Sequence, residues 1–193
     1  MNERLTLVAH ASTAATARAL FSRDEGLEPR GAAAAAAASA PRRITRAVCS
    51  PARAAVETAT ALGLAATVDA GLADWDLGEW RGRALDEVAA DHPAEVAAWL
   101  ADPDAVPHGG EPLTALLARV AGRLAAADGE GHTVAVTHAA VVRAAVVVTL
   151  GAPAAGFWRI DVAPLTATVL RGGPGRWTVR RTALPLDASA GGR

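Results

Sequence analysis

The sequence predicts an α/β fold with a largely parallel sheet, and two observations carry that prediction. Short apolar runs with strand character, "LTLV" at 5–8, "ITRAVCS" at 44–50 and "HTVAVTH" at 132–138, alternate with stretches of helical character. Two of these runs also end in the same way, on a histidine followed by small residues and then a helix, in "LTLVAHAST" and "VAVTHAAVV".

The elements follow in order. Leu5 to Val8 is the first strand, and Thr13 to Phe21 is expected to be helical. "SRDEGLEPRG" (22–31) has the glycine and proline of a loop, and the seven-alanine run that follows suits a helix with a small-residue face. After "ITRAVCS", Ser50 is a candidate N-cap with Pro51 in the first turn of a helix that Gly63 stops. Residues 66–83 read as an extended stretch rich in Trp and Gly. Helices are expected at about 84–91 and 93–101 with Pro93 at the break, then a loop, "DPDAVPHGGEP". "LTALLARVAGRLAAA" spaces Leu113, Leu116, Leu117, Val120 and Leu124 as a helix does. "AAVVRAAVVVTLG" is an apolar helix closed by Gly151. "FWRIDV", "TATVLRG" and "WTVRRTAL" read as closing strands, the last two joined by a "GPG" turn. One domain over 1–184 and a disordered tail over 185–193 are expected.

Composition narrows the function. The chain of 193 residues suits a sizeable core, and its net charge of −1 gives no electrostatic case for nucleic acid or an acidic membrane. Its single cysteine, Cys49, forms no internal disulfide and reads as a core thiol. No apolar run reaches the roughly 18 residues of a spanning helix, and the N-terminus lacks a signal-peptide layout. The expected location is the cytoplasm.

His10 and His138 are the first polar groups at the C-terminal ends of their strands, where open α/β sheets bind ligands. Helices starting after them offer backbone N–H groups to an anion. Thr13 and Ala139, at those starts, are candidate binding residues.

Taken together, "LTLVAHAST", "CSPARAAVETA", "LADWDLGEWRG", "PHGGEPLTALLARV", "VTHAAVVRA" and the closing "FWRIDVAPLTATVL…GRWTVRR" resemble, in order and spacing, the motifs of the histidine phosphatase superfamily. The resemblance spans about residues 5–182. It implies a three-layer α/β/α sandwich of the phosphoglycerate mutase-like kind, and hydrolysis of a small phosphorylated metabolite through a phosphohistidine. It makes His10 the nucleophile, His138 the group that stabilises the transferring phosphoryl, and Asp74 the acid that protonates the leaving oxygen. Glu111 matches a further acidic position.

The departures concern one task, holding a phosphate dianion. The family's arginine before the nucleophile is Ala9, and its second arginine, four residues before Thr58, is Ala54. The glycine after the first histidine is Ala11, and a serine position is Pro112. A dianion leaving water needs paired charge, and arginine's planar fork suits that role. Three readings stay open. Arg18, Arg53 or Arg143 rebuilds the clamp; or the His/Asp set performs acid–base work on a non-phosphorylated substrate; or the chain is an inactive relative that binds a ligand or partner. Trp75 and Trp80 are expected in the core. His108 is expected on a surface loop, and His92 and His132 in solvent. No metal or other cofactor is expected. The partner expected is a small molecule, with no nucleic acid and no membrane, and a homodimer stays open.

Overall fold

The computed structural model describes residues 3–127 and 130–186. Six strands form one sheet: β1 (Glu3–Ala9), β2 (Arg46–Cys49), β3 (Thr67–Val68), β4 (His132–Thr137), β5 (Thr166–Gly172) and β6 (Thr178–Pro185). Their order is β3-β2-β4-β1-β5-β6. The pairings β2/β3, β2/β4 and β1/β4 are parallel, while β5 runs antiparallel to both neighbours. All six residues of β4 are buried, as expected for a central parallel strand covered on both faces.

Among the described residues seven α-helices accompany the strands: α1 (Ala14–Ala17), α2 (Pro29–Ala37), α3 (Arg53–Ala61), α4 (Leu85–Asp91), α5 (Pro93–Ala101), α6 (Leu113–Ala125) and α7 (Ala139–Leu150). The alanine run is helical, and Pro29 and Gly31 belong to that helix rather than to the loop before it. Proline is welcome there because the first turn has no N–H partner to lose. Gly31 is required for another reason: a Cβ would stand 2.1 Å from the Ser12 carbonyl oxygen, so α2 packs directly on the loop that carries His10. α7 ends on Gly151 at φ +59°, the left-handed cap expected of it.

The core forms two clusters. The larger joins the sheet to α6, α7 and an aromatic group of Trp75, Trp80, Trp99 and Phe157. The smaller packs Val8, Val134, Val136 and Cys49 against α3. Cys49 is buried, as expected.

Several expectations are corrected. The helix over Thr13–Phe21 is one turn only: Arg18 caps it, and Ala19 takes φ +52°. "FWRIDV" is not a strand. Residues Ala154–Arg159 wind as a 3-10 turn opened by Pro153, because burying Phe157 in the core outweighs the β-propensity of the run. His108 is fully buried, its Nδ1 accepting the Gly110 N–H at 3.0 Å and its ring set against Trp80 and Trp99. His132 is buried too, bonded to Thr6 Oγ1 at 2.8 Å and the Arg42 carbonyl at 3.1 Å. His108 lies in a Gly- and Pro-containing run and His132 at the first position of its strand, and neither place signals burial locally. Pro185 completes β6 and Leu186 donates to the Leu165 carbonyl, so the strand runs past the expected boundary; the rest of the expected tail lies outside the described residues. Among the described residues no helix is long and apolar enough to cross a membrane.

Candidate active site

Strand register builds the site. Ala9 of β1 lies opposite Thr137 of β4, and the next residue on each strand is a histidine. Parallel neighbours lie about 4.8 Å apart, and the His10 and His138 rings meet edge to face with centroids 5.1 Å apart. Ser50 follows the last residue of β2 on the other side of β4, and its N–H bonds the Val136 carbonyl at 2.9 Å. Three adjacent strand ends thus deliver His10, His138 and Ser50 to one edge of the sheet.

The backbone of His10 is held from several sides. Its N–H bonds the Thr137 carbonyl at 2.8 Å, and the next N–H, of Ala11, bonds Thr58 Oγ1 at 3.0 Å. Thr58 is the threonine of the "RAAVETA" motif, here serving as an acceptor for the histidine loop. His10 Nδ1 lies 2.8 Å from the Ala11 carbonyl oxygen. A carbonyl can only accept, so Nδ1 carries the proton and Nε2 keeps a bare lone pair. Burial, then the neighbouring His138 charge, push the His10 pKa below the ordinary imidazole value; the Ala11 carbonyl and Asp74 act the other way but do not prevail.

His138 is held differently. Its Nε2 bonds Ser50 Oγ at 2.8 Å. Its Nδ1 stands 3.2 Å from Asp74 Oδ2, near enough for an ion pair but off the line of a hydrogen bond. Burial pushes the half-buried Asp74 carboxyl up. The His138 charge and contact, the Trp75 backbone N–H and the His10 charge together outweigh this, and the carboxyl titrates below its ordinary value.

The loop that carries Asp74 is fixed by a residue the sequence did not single out. Arg119 of α6 spends its whole fork there. It reaches Glu111 with Nε at 3.1 Å and Nη2 at 2.9 Å, the Gly71 and Ala73 carbonyls with Nη1 at 3.2 and 3.0 Å, and the Asp74 carbonyl with Nη2 at 3.2 Å. Thr137 Oγ1 adds a bond to the Leu72 carbonyl at 2.8 Å. Glu111 is therefore a partner of Arg119, and its carbonyl accepts the Trp75 indole N–H at 2.7 Å; it does not line the cleft. The signal for Arg119 in the sequence was faint: it borders the apolar stripe of α6, one residue from Val120.

The cleft over the histidines has two lobes that share Ser22, Asp74, Trp75 and His138. The inner lobe, about 260 Å³, also holds His10, Thr13, Ala139 and Arg143. The outer lobe, about 230 Å³, holds Arg23 and Arg81.

The other arginines weighed from the sequence lie elsewhere. Arg18 is exposed and lines neither lobe. Arg53 is exposed, pairs with Glu57 at 2.7 Å and donates its backbone N–H to Asp24. Ala9, Ala11 and Ala54 are buried and line neither lobe. Arg143, one turn into α7, shares a helix face with Ala139 and Ala140, and all three line the inner lobe. Its Nε bonds the Ile160 carbonyl at 2.8 Å and its guanidinium lies 5.8 Å from the Phe157 ring centre. Burial lowers its pKa, yet an arginine stays a cation. Ser50, expected to cap α3, leaves that position to Ala52; its Oγ accepts the Ala52 N–H at 3.2 Å while it holds His138.

The family model of the histidine phosphatase superfamily (branch 1) matches residues 5–185. The chain belongs to that superfamily. No curated protein matches the sequence. Among solved structures, a mycobacterial glucosyl-3-phosphoglycerate phosphatase is 27% identical with a TM-score of 0.80, the match covering 94% of this chain and 98% of that one. A protein described as mycobacterial hydrolase 2 is 27% identical with a TM-score of 0.81, covering 98% and 94%. A putative α-ribazole-5'-phosphate phosphatase from Escherichia coli has a TM-score of 0.83 over 97% and 98%, and at 22% identity it speaks for the fold alone. The superfamily member described here thus has the fold of its phosphatase relatives.

Proposed function

We propose that the protein is a phosphomonoester hydrolase that works through a phosphohistidine at His10, with Arg143 in place of the missing arginine clamp. The observation that carries the reading is the pairing of a tautomer-fixed His10, its Nε2 unoccupied, with a second histidine whose ring lies 5.1 Å away. In this mechanism Nε2 attacks phosphorus and the ester oxygen leaves with its electron pair and a proton. Water then attacks phosphorus, giving a proton to the carboxylate that supplied the first one; the N–P bond breaks with its electron pair returning to Nε2, and inorganic phosphate leaves. The likeness to a phosphatase that has been studied with VO3 and with inorganic phosphate is consistent with this reading.

Charge for the phosphoryl group comes from three sources. Arg143 faces the lobe that holds His10. The first N–H groups of α7 have no partner within the helix and His138 gives them no side-chain cap. His138 supplies a third donor at Nδ1, which stands 3.2 Å from the Asp74 carboxylate without a hydrogen-bond partner.

Asp74 is the acid in this reading, although it rests as a carboxylate. An arriving dianion acts on it as a like charge and raises its pKa, so binding brings in the proton that the leaving oxygen later takes.

The test is hydrolysis of an aryl phosphate and a panel of phosphorylated metabolites by the wild type, Arg143→Leu and Arg53→Leu. Loss of a charged donor to the transition state costs roughly 3–4 kcal/mol, so Arg143→Leu is expected to lower kcat/KM at least about 10²-fold. Arg53→Leu is expected to leave it unchanged. Equal activity of all three proteins removes Arg143 from the clamp. No turnover on any phosphate removes the phosphatase reading.

A further inference from the structure

We infer that the inner lobe receives the ester group of the substrate, and that this group is a flat, uncharged aromatic ring rather than a sugar or other polyol. The inference rests on the phosphatase reading of the cleft. His10 lines the inner lobe and not the outer one, so a phosphoryl group in reach of Nε2 sits inside the inner lobe, and the walls beside it favour that lobe for the ester group over the outer one, which holds Arg23 and Arg81.

The walls of that space are aromatic. Phe21 and Trp158 are half-buried and border the lobe, with Trp75, Trp99 and Phe157 buried behind them. Trp75 stacks on Trp99 with centroids 5.3 Å apart, and Trp158 meets Trp99 edge to face at 4.6 Å. Leu20 and Leu77 complete the apolar surface. Flat π faces of this kind favour another ring in offset or edge contact. A cavity of about 150 Å³ is enough to hold benzene, so a lobe of about 260 Å³ takes one ring system beside the phosphoryl group.

Apart from Arg143, His138, Asp74 and the start of α7, which serve the phosphoryl group, the hydroxyls of the lobe and the Trp75 indole are already engaged, which argues against a polyol. Thr13 Oγ1 donates to Glu25 and accepts the Thr16 N–H. Thr16 Oγ1 donates to the Thr13 carbonyl and accepts the Thr13 N–H. Ser22 Oγ donates to Glu25 and accepts the Asp24 N–H. The Trp75 indole N–H is bound to Glu111. Once Arg143, His138 Nδ1 and the first N–H groups of α7 are given to the phosphoryl group, the side-chain donor left among the described residues with no partner is the buried indole N–H of Trp99. It suits one heteroatom in a ring, not a run of hydroxyls, most of which would leave water without a partner.

The test compares alkyl phosphates of matched charge and similar leaving group: benzyl phosphate against glycerol 3-phosphate and glucose 6-phosphate. The full chain is expected to give a kcat/KM for benzyl phosphate at least about tenfold above either polyol ester, and Trp158→Ala to reduce that ratio. Equal or better turnover of the polyol esters overturns the inference while leaving the phosphatase reading intact. A binding arm separates the two claims. Benzylphosphonate and methylphosphonate are titrated against the wild-type protein by tryptophan fluorescence and calorimetry, with benzylphosphonate expected to bind at least about tenfold more tightly. If no ester is hydrolysed yet benzylphosphonate keeps that preference, the lobe assignment is supported and the chemistry of the proposed reaction falls. Equal affinity for the two phosphonates overturns the lobe assignment whatever the enzyme hydrolyses, and this arm needs no variant to fold.

Discussion

The ends of β1 and β4 look alike in sequence and are built differently. Each strand is apolar and ends on a histidine followed by small residues. After His10 comes a four-residue helix, and the imidazole is tied only to the next carbonyl along its own chain. After His138 comes a twelve-residue helix, and both ring nitrogens face side chains from other elements, Ser50 and Asp74. A local tie sets a tautomer and leaves one nitrogen to react. Two distant partners fix a ring from both sides. The comparison teaches that one sequence pattern can serve two roles, and that long-range partners decide which.

The largest break in the comparison is His10→Ala. If His10 is the nucleophile, kcat falls at least about 10⁴-fold, because other groups of a concerted site do not replace a nucleophile; steady-state hydrolysis of an aryl phosphate checks it. A residual rate within tenfold of wild type would assign the chemistry elsewhere.

Ser50→Ala sharpens the other side. It removes the bond that orients His138 Nε2, and leaving a buried polar atom without its partner costs roughly 1–3 kcal/mol. The expected result is a loss of about 10–100-fold in kcat/KM at constant fold, read by kinetics beside circular dichroism, with Ser50→Thr retaining more activity than alanine.

Arg119→Met tests the loop rather than the histidines. The Glu111–Arg119 pair is about a quarter exposed or less on each side, so its removal is expected to cost about 1–3 kcal/mol, between surface and buried pairs. Chemical denaturation measures that loss. Activity should fall as well, because Asp74 loses its support; a variant equally stable and active would leave Arg119 without a positioning role.

The smallest effect concerns pH. A base with a lowered pKa stays neutral and able to attack below the usual imidazole range, so the acid limb of kcat/KM is expected below pH 6.5. The same sign holds for stability: with the folded pKa depressed, the contribution is full above the unfolded value and fades as pH falls through the folded one. An acid limb above the free-imidazole value would contradict the burial of His10 as described.

Much of this was legible in the sequence. β1, β2, β4, β5, β6, α5, α6, α7 and the Gly151 cap follow from local periodicity and end signals, which are short-range, while β3 is two residues inside a stretch that reads only as extended. His10, Asp74 and His138 were legible as a set through the resemblance, and the structure gathers them at one cleft. What stayed hidden depends on tertiary partners. Arg119 looks like any helix arginine until five acceptors from separate loops converge on it. Ser50 reads as a cap because its bond to His138 spans 88 residues. "FWRIDV" reads as a strand because nothing local reveals that Phe157 is drawn into the core. Arg53 and Arg143 look equally suitable in sequence, and only packing directs one to Glu57 and the other to the cleft.

The most direct measurement of the central claim is to trap the intermediate. The protein is mixed briefly with a labelled aryl phosphate, quenched in alkali and digested with trypsin. The account predicts an alkali-stable, acid-labile phosphoryl group on the peptide from Leu5 to Arg18, whose one histidine is His10, and none in His10→Ala. Turnover with no adduct on that peptide, or with the adduct on the peptide that carries His138, would contradict it.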